Sequence, residues 1–525
     1  MPSRTRAECA ECTRRMSVAV LTRSTEPTVG AESNSLNADV CDRARVARDP
    51  RFDGRFFTGV LTTRIYCRPV CPVRPARSDH VRFFPSAAAA EQAGFRPCLR
   101  CRPELAPGTP RHLDPSGTVS RAVDLIECGF LDERRVEDLG AAVGIGARHL
   151  SRLFDRYLGA PPAVIARTRR VQVAKLLLSE TRLSITAVAF AAGFGSVRRF
   201  NAVFASTYGA SPSRIRHVPR VQLSRAHEIT IRMAFRTPFD WSLLLTLFRA
   251  EAIPGVEEVT EDTYRRTLRI RGQTGWLEAR LASRGDYLAV SLALPDPSGL
   301  RDVLSRVRRM FDVDADPWKI KRQLEHQPVA GALVRNRPGV RLPGTWDGFE
   351  LALRALVARQ VEPSRVRTVL EHLVRKYGKL APASRYVFPT PAVLSRVPTS
   401  SFISARLACG IRRLAYSVGR KGVRFDPTVT YGDIVSGLCR WAKFEQADAH
   451  WIAMRVTGEP DADSTSVVQV LTNEKIAETW RPWRSYVAVL IACTRLTRGV
   501  QAHSVAEVRR LRWPDSGGQC NSRNA

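Results

Sequence analysis

Four cysteines near the start of the chain carry the clearest chemistry in this sequence. Cys67 and Cys71 lie in YCRPVC, Cys98 and Cys101 lie in PCLRC, and 26 residues separate the two pairs. Zinc in proteins takes four ligands, and two close pairs separated by a few tens of residues can converge on one tetrahedral ion. The spacing therefore predicts one Zn2+ held by these four thiolates. Spacing alone leaves open whether the site is only structural.

The other cysteines are scattered, and we expect most of them to be buried small apolar residues or tail thiols. Cys9 and Cys12 form a second close pair, but no matching pair lies near them. A four-ligand site is incomplete with two donors, so the sequence leaves the role of this pair open.

The residues around the four-cysteine site resemble a known family. The segment Ala47–Glu104 contains RFDGRFF, YCRPVC, VRFF and GFRPCLRCRP, and it resembles the N-terminal domain of the Ada family of alkylation-repair regulators. The resemblance implies that Cys67 accepts a methyl group from a methylphosphotriester of DNA, once per protein molecule. The chemistry agrees, because the attacking sulfur must be a thiolate and zinc deprotonates its thiol ligands.

Methylation of Cys67 would also change the charge of the site. Four thiolates around Zn2+ carry a net charge of minus two, and a thioether removes one negative charge next to DNA, so DNA affinity should rise. Arginines crowd the site, and we expect Arg68 and Arg96 to be among those that contact phosphates. The alternative for each arginine is a solvated basic surface.

Two helix-turn-helix patterns follow, at Val136–Gly159 and Ile185–Arg216. In each, an amphipathic helix reaches a glycine turn, at Gly144 or Gly193, before a second helix begins. The segment Val171–Glu180 predicts a long linking helix. The second pattern resembles the AraC/XylS-type DNA-binding domain, and this resemblance implies that both second helices enter successive major grooves.

The residues expected to contact DNA from the second helices are Arg148, His149, Ser151 and Arg152 in the first unit, and Ser196, Arg198, Arg199 and Asn201 in the second. For any single residue the alternative to base reading is a contact that positions the backbone, which is the commoner kind. We expect Phe194, Phe200 and Phe204 to lie in the core. By the resemblance, the protein is a sequence-specific activator that works with RNA polymerase.

The rest of the chain resembles AlkA-type 3-methyladenine DNA glycosylases. Thr237–Ile270, Met310–Pro317, Pro338–Val361 and Glu478–Leu490 carry the resemblance. It implies a helix-hairpin-helix that grips the DNA backbone, a wedge residue, and a flipped base in an aromatic pocket. It also implies an Asp carboxylate that stabilises the positive charge developing on the sugar.

The residues of that implied site depart from the family. Aligned through WIAMRVTGEPDA, the hairpin falls on Ala442–Glu445, so both family glycines are missing and Glu445 places a negative charge where a phosphate should lie. The catalytic Asp position falls on Val467, and the pocket tryptophan falls on Ala492. The wedge position falls near Gln360, which is still suitable.

A shift in alignment would let Asp461 or Asp463 take the catalytic place, and their alternative is a role as solvated loop acids that cap a helix. We therefore expect an impaired glycosylase half. It would then be a retained scaffold that binds DNA non-specifically or only steadies the fold. The alternative is a functional 3-methyladenine DNA glycosylase with an Ada-type regulatory front half.

Composition supports a nucleic-acid partner. The 525 residues include 82 Lys and Arg against 50 Asp and Glu, a formal charge of +32. Such an excess favours a polyanion. The longest apolar stretch, near Tyr486–Thr494, is about half of a membrane-spanning helix, and we read no signal peptide, so we expect a cytoplasmic protein without a membrane partner.

These elements predict a multidomain α+β protein. We expect a small zinc-bound α/β domain, an all-α double helix-turn-helix domain, an AlkA-like α+β lobe, and a mostly helical helix-hairpin-helix lobe, between two tails. The predicted boundaries are 1–39 for a disordered tail, 40–107, 118–218, 227–340 and 341–507 for the four domains, and 508–525 for a second tail.

Overall fold

The structure is a computed structural model, and it describes residues 36–109, 117–216, 228–283, 287–381, 385–420, 422–462 and 474–497. The predicted tails lie outside these ranges except for residues 36–39, and so do Cys9 and Cys12. Within the described residues, no helix is both long and apolar enough to cross a membrane.

The cysteine-bearing segment folds as a four-stranded sheet with two helices. The helices are α1 (Ala38–Val46) and α2 (Ala87–Gln92), and the strands are β1 (Phe57–Val60), β2 (Ile65–Cys67), β3 (Val81–Phe84) and β4 (Arg96–Pro97). The strand order is β3-β1-β2-β4. Gly59 in β1 has to be a glycine, because a Cβ there would come within 2.7 Å of the Phe84 ring and 2.8 Å of the Phe95 ring.

Eight helices form the next part of the chain. They are α3 (Thr118–Glu127), α4 (Phe130–Glu133), α5 (Val136–Ala142), α6 (Ala147–Leu158), α7 (Pro162–Glu180), α8 (Ile185–Ala191), α9 (Val197–Tyr208) and α10 (Pro212–Ile215). Gly144 and Gly193 take φ of 81° and 88°, the left-handed region that favours glycine, between the helices of each helix-turn-helix. The long linking helix begins nine residues earlier than predicted, at Pro162, because proline suits the first turn of a helix.

A five-stranded antiparallel sheet follows. Three of its strands fall on EITIRMAF, TYRRTLRIRG and DYLAVSLAL, in which apolar and polar residues alternate as they do in a predicted strand. Its strands are β5 (Glu228–Ala234), β6 (Glu257–Val259), β7 (Thr263–Ile270), β8 (Gln273–Leu281) and β9 (Tyr287–Ala293), in the order β5-β9-β8-β7-β6. Two helices belong to this lobe, α11 (Trp241–Glu251) and α12 (Leu300–Met310).

The remaining described residues are mostly helical, as predicted. The helices are α13 (Pro317–Leu324), α14 (Ala330–Asn336), α15 (Gly348–Gln360), α16 (Pro363–Tyr377), α17 (Pro391–Leu394), α18 (Ala405–Arg420), α19 (Tyr431–Gly437), α20 (Gln446–Thr457), α21 (Glu474–Glu478) and α22 (Arg484–Thr497), with a short hairpin of β10 (Lys379–Ala381) and β11 (Arg385–Val387). A π-helical turn, Leu438–Ala442, extends α19 towards α20.

Two apolar clusters cross the boundaries drawn from the sequence. One joins the cysteine-bearing sheet to the first helix-turn-helix unit, and it includes Phe57, Tyr66, Phe95, Leu125, Leu139 and Phe154. The other joins the second unit to the five-stranded sheet, and it includes Leu178, Phe200, Phe204, Ile231, Leu268 and Val290. Helix α7 contributes Ile165 to the first cluster and Val171 to the second. The two halves of the helix-turn-helix region therefore share their apolar clusters with different neighbours.

Candidate metal centre and nucleic-acid interface

The four cysteines come together because the two strands that carry them lie side by side. Cys67 is the last residue of β2, and Cys98 directly follows β4. These strands are parallel neighbours, so both cysteines leave the sheet at the same edge. The second cysteine of each pair follows in the turn after its strand. The parallel pairing of β2 with β4 therefore brings the two distant cysteine pairs together.

The sulfur atoms fit a tetrahedral metal ion. All four Sγ atoms lie within 4.8 Å of one another. With Zn–S bonds of about 2.3 Å, the sulfur–sulfur edges of a tetrahedron are about 3.8 Å long. Four thiols at this separation are a donor set for Zn2+, which would hold all of them as thiolates.

Hydrogen bonds between the sulfurs shift the ionisation of each thiol. Bonds to Cys101 and then Cys67 lower the pKa of Cys71 to about 7, and bonds to Cys101 and its neighbours also lower the pKa of Cys98. Bonds to Cys67 and the other two raise the pKa of Cys101. For Cys67 the bond to Cys101 acts to lower the pKa, but bonds to Cys71 and Cys98 outweigh it and raise the pKa overall. The thiols thus resist ionising together, and a divalent cation is the partner that lets them do so.

The four ligands differ in exposure. Cys98 and Cys101 are 8% and 6% exposed, whereas Cys67 and Cys71 are partly exposed. The Sγ of Cys101 accepts a hydrogen bond from the Arg68 backbone N–H at 3.3 Å, and backbone hydrogen bonds also stabilise the thiolates of Cys71 and Cys98. A substrate approaching from solvent would therefore meet Cys67 or Cys71 before either buried sulfur.

Arg68, expected to contact a phosphate, lies in an internal ion pair. Its Nε donates to Asp53 Oδ1 at 2.9 Å, its Nη2 contacts the other Asp53 oxygen, and its Nη1 donates to the Cys101 carbonyl at 3.2 Å. The side chain is only 15% exposed. This differs from our expectation, because Asp53, 15 residues away in sequence, neutralises the charge that a phosphate would need. Arg68 braces the turn after Cys67.

A second arginine links the metal centre to the rest of the chain. Arg102, next to Cys101, donates to Glu104 at 3.0 Å and to Glu180 at 3.1 Å. Glu180, at the end of α7, also accepts from Arg232 of β5 at 2.6 Å. Five other arginines of the segment are exposed, namely Arg64, Arg74, Arg77, Arg96 and Arg100. Arg96 is thus accessible to solvent, and its contact with a phosphate stays a prediction.

Most of the side chains predicted to meet DNA are exposed on the second helix of each helix-turn-helix unit. On or next to α6 and α9 the exposed ones are Arg148, His149, Arg152, Ser196, Arg198, Arg199 and Asn201, and Ser151 is half-buried. Ser196 also caps α9, since its Oγ accepts from the Arg199 N–H at 3.2 Å. Phe194, Phe200 and Phe204 are buried, which confirms their prediction as core residues.

The hairpin between α19 and α20 is present, but its chemistry has changed. Lys443 takes φ of 61°, so a lysine occupies the left-handed conformation that glycine adopts without strain. Glu445 forms an ion pair with Arg359 of α15, and Asp448 accepts from the same guanidinium at 2.6 Å. The negative charge that Glu445 brings to the hairpin is neutralised by Arg359, a residue 86 positions earlier.

Asp461, one of the two carboxylates that a shifted alignment would make catalytic, is bound to arginines. Its Oδ1 accepts from Arg484 Nε at 2.7 Å, and Arg481 lies 3.3 Å from its Oδ2. Asp461 lines a cavity of about 840 Å³ whose other lining residues include Trp346, Phe388, Phe425 and Tyr431. The hairpin residues 442–445 do not line this cavity. Asp463 and the Val467 position lie outside the described residues.

The predicted wedge, Gln360, is the last residue of α15 and is half-buried. Its Nε2 lies 3.0 Å from the point where a Cβ on Gly410 would be, so the amide packs against α18. Its Oε1 is buried without a hydrogen-bond partner among the described residues. A wedge role would require this side chain to turn outwards. Ala492, at the position of the pocket tryptophan, is half-buried in α22.

Sequence reasoning missed the residues that neutralise or connect these sites. Arg359 and Asp53 are examples. Asp53 lies in RFDGRFF, so its motif could have marked it, although the motif does not name Arg68 as its partner. Arg359 lies 86 positions from Glu445, and a salt-bridge partner that far along the chain leaves no local pattern.

Three family models match the chain. Residues 40–104 match the metal binding domain of Ada, residues 139–217 match a helix-turn-helix domain, and residues 230–347 match the AlkA N-terminal domain. Together with the sulfur geometry, these matches identify a zinc-binding domain whose four cysteines lie close together.

Curated relatives share the same combination. The chain is 36% identical over 468 residues to the probable bifunctional transcriptional activator/DNA repair enzyme AlkA of Mycobacterium tuberculosis, covering 85% of this chain and 94% of that protein. It is 34% identical over 174 residues to Escherichia coli Ada, the bifunctional transcriptional activator/DNA repair enzyme, covering 33% of this chain and 47% of Ada. It is 27% identical over 291 residues to E. coli DNA-3-methyladenine glycosylase 2, covering 49% and 94%.

Proposed function

The chain belongs to the family of bifunctional transcriptional activator/DNA repair enzymes, and from this we propose that it repairs methylphosphotriesters in DNA and reports the repair to transcription. In this proposal Cys67 accepts the methyl group, and the methylated protein becomes a sequence-specific activator. The partly exposed Cys67 among four sulfurs within 4.8 Å of one another is the observation that carries it.

The transfer is a displacement at a methyl carbon. The Cys67 sulfur donates an electron pair to the carbon, a carbon–sulfur bond forms, and the carbon–oxygen bond to the phosphotriester breaks. The leaving group is the restored phosphodiester anion, and no proton moves. Zn2+ bound by Cys67, Cys71, Cys98 and Cys101 would keep the attacking sulfur deprotonated at neutral pH. The thioether has no easy route back to a thiolate, so each chain reacts once.

The rest of the site supports Cys67 as the acceptor. Cys98 and Cys101 are buried, and amide hydrogen bonds hold charge on three of the sulfurs. The Arg68–Asp53 pair fixes the turn that follows Cys67. Loss of one negative charge at this surface, next to exposed Arg96, reduces repulsion of the DNA backbone.

The helix-turn-helix pair would then read the promoter. The side chains that we assign to DNA contact are Arg96, Arg148, Arg152, Ser196, Arg198 and Arg199. As an activator the methylated protein would contact RNA polymerase, in the cytoplasm with the DNA that it repairs. We assign residues 40–107 to methyl transfer, 118–218 to DNA reading, and 227–340 with 341–507 to the glycosylase-like half.

Duplex DNA that carries radiolabelled methylphosphotriesters tests the proposal. The wild-type protein should take up about one methyl group per bound zinc, and Cys67→Ala should take up none. Cys409→Ala is the matched control, because Cys409 is an exposed free cysteine that does not belong to the four-sulfur cluster. Label on Cys67→Ala, or none on the wild-type protein, would overturn the proposal.

The glycosylase half supports a second, weaker function. Its relation to E. coli DNA-3-methyladenine glycosylase 2 favours base excision. We infer that the activity is impaired, because Asp461 is neutralised by Arg484, and Lys443 with Glu445 replaces the hairpin glycines. Gln360 would have to turn out of its contact with α18 to act as a wedge. Abasic sites formed in duplex containing 3-methyladenine would establish the activity, and loss of them in Asp461→Asn would identify the carboxylate.

A further inference from the structure

We propose that the glycosylase-like half sets the relative orientation of the two helix-turn-helix units, and that Arg301 of α12 is the positioning residue. This rests on the proposed function, in which both units read one DNA site. The glycosylase-like half would then contribute to sequence recognition whether or not it excises bases.

Arg301 reaches out of its own lobe and binds α3 and α4, the two helices that precede the first helix-turn-helix unit and share its apolar cluster. Its Nη2 donates to the Ile126 carbonyl at 2.7 Å, and its Nε donates to the Glu127 carbonyl at 3.2 Å. Both carbonyls belong to the last turn of α3, where a cation is favourable. Its Nη1 forms an ion pair with Asp132 of α4. All three guanidinium nitrogens thus bind the helices on which the first unit packs, and Arg301 is only 8% exposed.

Asp132 connects that contact to the helix between the two units. Its Oδ1 accepts from Arg170 Nε at 2.8 Å, and Arg170 Nη2 donates to the Leu131 carbonyl at 2.6 Å. Arg170 lies on α7, which continues into the second unit. One carboxylate is therefore shared by a residue of the linking helix and a residue of the glycosylase-like half.

The glycine turn of the second unit lies against the same ion pair, Arg301 with Asp132. A Cβ placed on Gly193 would lie 2.3 Å from Asp132 Oδ2 and 2.4 Å from Arg301 Nη1. Gly193 is the glycine between α8 and α9, so its backbone touches the pair that holds the first unit. Arg301 and Asp132 therefore lie where both units, the linking helix and the glycosylase-like half meet.

A second set of contacts supports the same junction. Ser305, one turn along α12 from Arg301, lies 3.0 Å from Cys128 Sγ, and Arg309 Nη1 lies 3.0 Å from the same sulfur. Arg121 of α3 donates to the Thr428 carbonyl at 2.9 Å. The glycosylase-like half thus contacts α3, the helix on which the first unit packs. The second unit shares an apolar cluster with the five-stranded sheet.

This arrangement matters because a bipartite reader recognises spacing as well as bases. Two helices that enter successive grooves must be separated by about one turn of DNA, roughly 34–36 Å. Without Arg301, the two units would be connected through the linking helix α7. With Arg301 in place, each unit is also fixed to a common third body, so their separation is set before DNA binds.

The test measures spacing discrimination on a duplex that methylated wild-type protein selects from a random-sequence pool. Variants of this duplex carry one base pair inserted or deleted between the two half-sites. We expect the wild-type protein to prefer the original spacing by at least about tenfold, the size of one mismatch. Arg301→Met should lose most of this preference, while its affinity for an isolated half-site and its methyl transfer stay unchanged.

Arg271→Met is the matched control, because Arg271 is exposed and its ion pair, at 3.4 Å, is with Asp302 of α12. Arg301→Lys and Asp132→Asn serve if Arg301→Met fails to fold, and both should reduce discrimination, since lysine cannot bind three acceptors in Arg301's geometry. Wild-type discrimination in the folded Arg301 variants would overturn this inference alone. Failure of the methylated wild-type protein to select any sequence would overturn the proposed function instead.

Discussion

The metal centre and the hairpin of the helical lobe were both predicted from family patterns, yet different contacts hold them. At the metal centre the four cysteines converge, and the nearby charges, such as the Arg68–Asp53 pair, brace them. At the hairpin, Arg359 closes an ion-pair cluster with Glu445 and Asp448, at the place where the resemblance implies a phosphate contact. The contrast teaches that charged side chains can brace a cluster of ligands in one region and pair with one another to hold a backbone turn in another.

Removing one metal ligand should have the largest effect. Cys98→Ser should abolish zinc binding and methyl transfer together, because a structural zinc contributes an apparent ~10–16 kcal/mol to folding of small metal domains. Zinc content and label uptake would be measured on the same sample. Cys409→Ser is the control. Retention of zinc by Cys98→Ser would show that the metal centre does not depend on all four cysteines, contrary to the comparison with the hairpin.

The scaffold of the glycosylase-like half should depend on Glu251, which joins α11 to Arg354 at 3.0 Å and to Arg455. Burial acts to raise the pKa of Glu251, but the two arginines outweigh it and lower the pKa to about 2. Glu251→Gln should therefore reduce the free energy of unfolding by about 3 kcal/mol at pH 7.

The sign of the pH dependence follows from that lowered pKa. The stabilisation is complete above the ordinary carboxyl pKa of about 4.3 and is lost as the pH falls towards about 2. Wild-type protein and Glu251→Gln should thus converge in acid. Tryptophan fluorescence during denaturation reports this half, since all nine tryptophans follow residue 240. A difference in the free energy of unfolding between wild-type protein and Glu251→Gln that stayed constant from pH 7 to pH 2 would contradict the role given to Glu251.

The two acids that share Arg359 should differ in their contribution. Asp448 is 6% exposed and Glu445 is 55% exposed. Asp448→Asn should cost about 1–3 kcal/mol, because it weakens a buried, charge-assisted hydrogen bond. Glu445→Gln should cost at most about 1 kcal/mol, as for an exposed ion pair. Equal costs in chemical denaturation would mean that burial does not decide the strength of this cluster.

The smallest effect is expected at Lys443. Lys443→Gly should raise the free energy of unfolding by about 0.5 kcal/mol, because relief of the left-handed conformation exceeds the added freedom of the unfolded chain. Lys376→Gly, at an exposed position of α16, should instead destabilise by about 0.5–1 kcal/mol. A loss of stability in Lys443→Gly would show that the lysine side chain, not the backbone, dominates there.

The sequence predicted the features whose cause is local. The cysteine spacing placed the metal ligands, the glycines at 144 and 193 marked both turns, and alternation marked β5, β7 and β9. It could not predict Arg301 with Asp132, which are 169 residues apart, or Arg359 with Glu445, which are 86 apart. Such pairs arise only when packing brings distant surfaces together. The partner of Glu445 was missed for this reason, since Arg359 lies on another helix.

The route of α7 through two apolar clusters limits how this protein can be taken apart. A fragment cut within 217–227 would leave Leu178, Phe200 and Phe204 without the β-sheet residues that share their cluster. Newly wetted apolar surface favours aggregation over function. We therefore expect the two fragments to aggregate more readily than the whole chain, although the sequence motifs alone suggest two independent proteins.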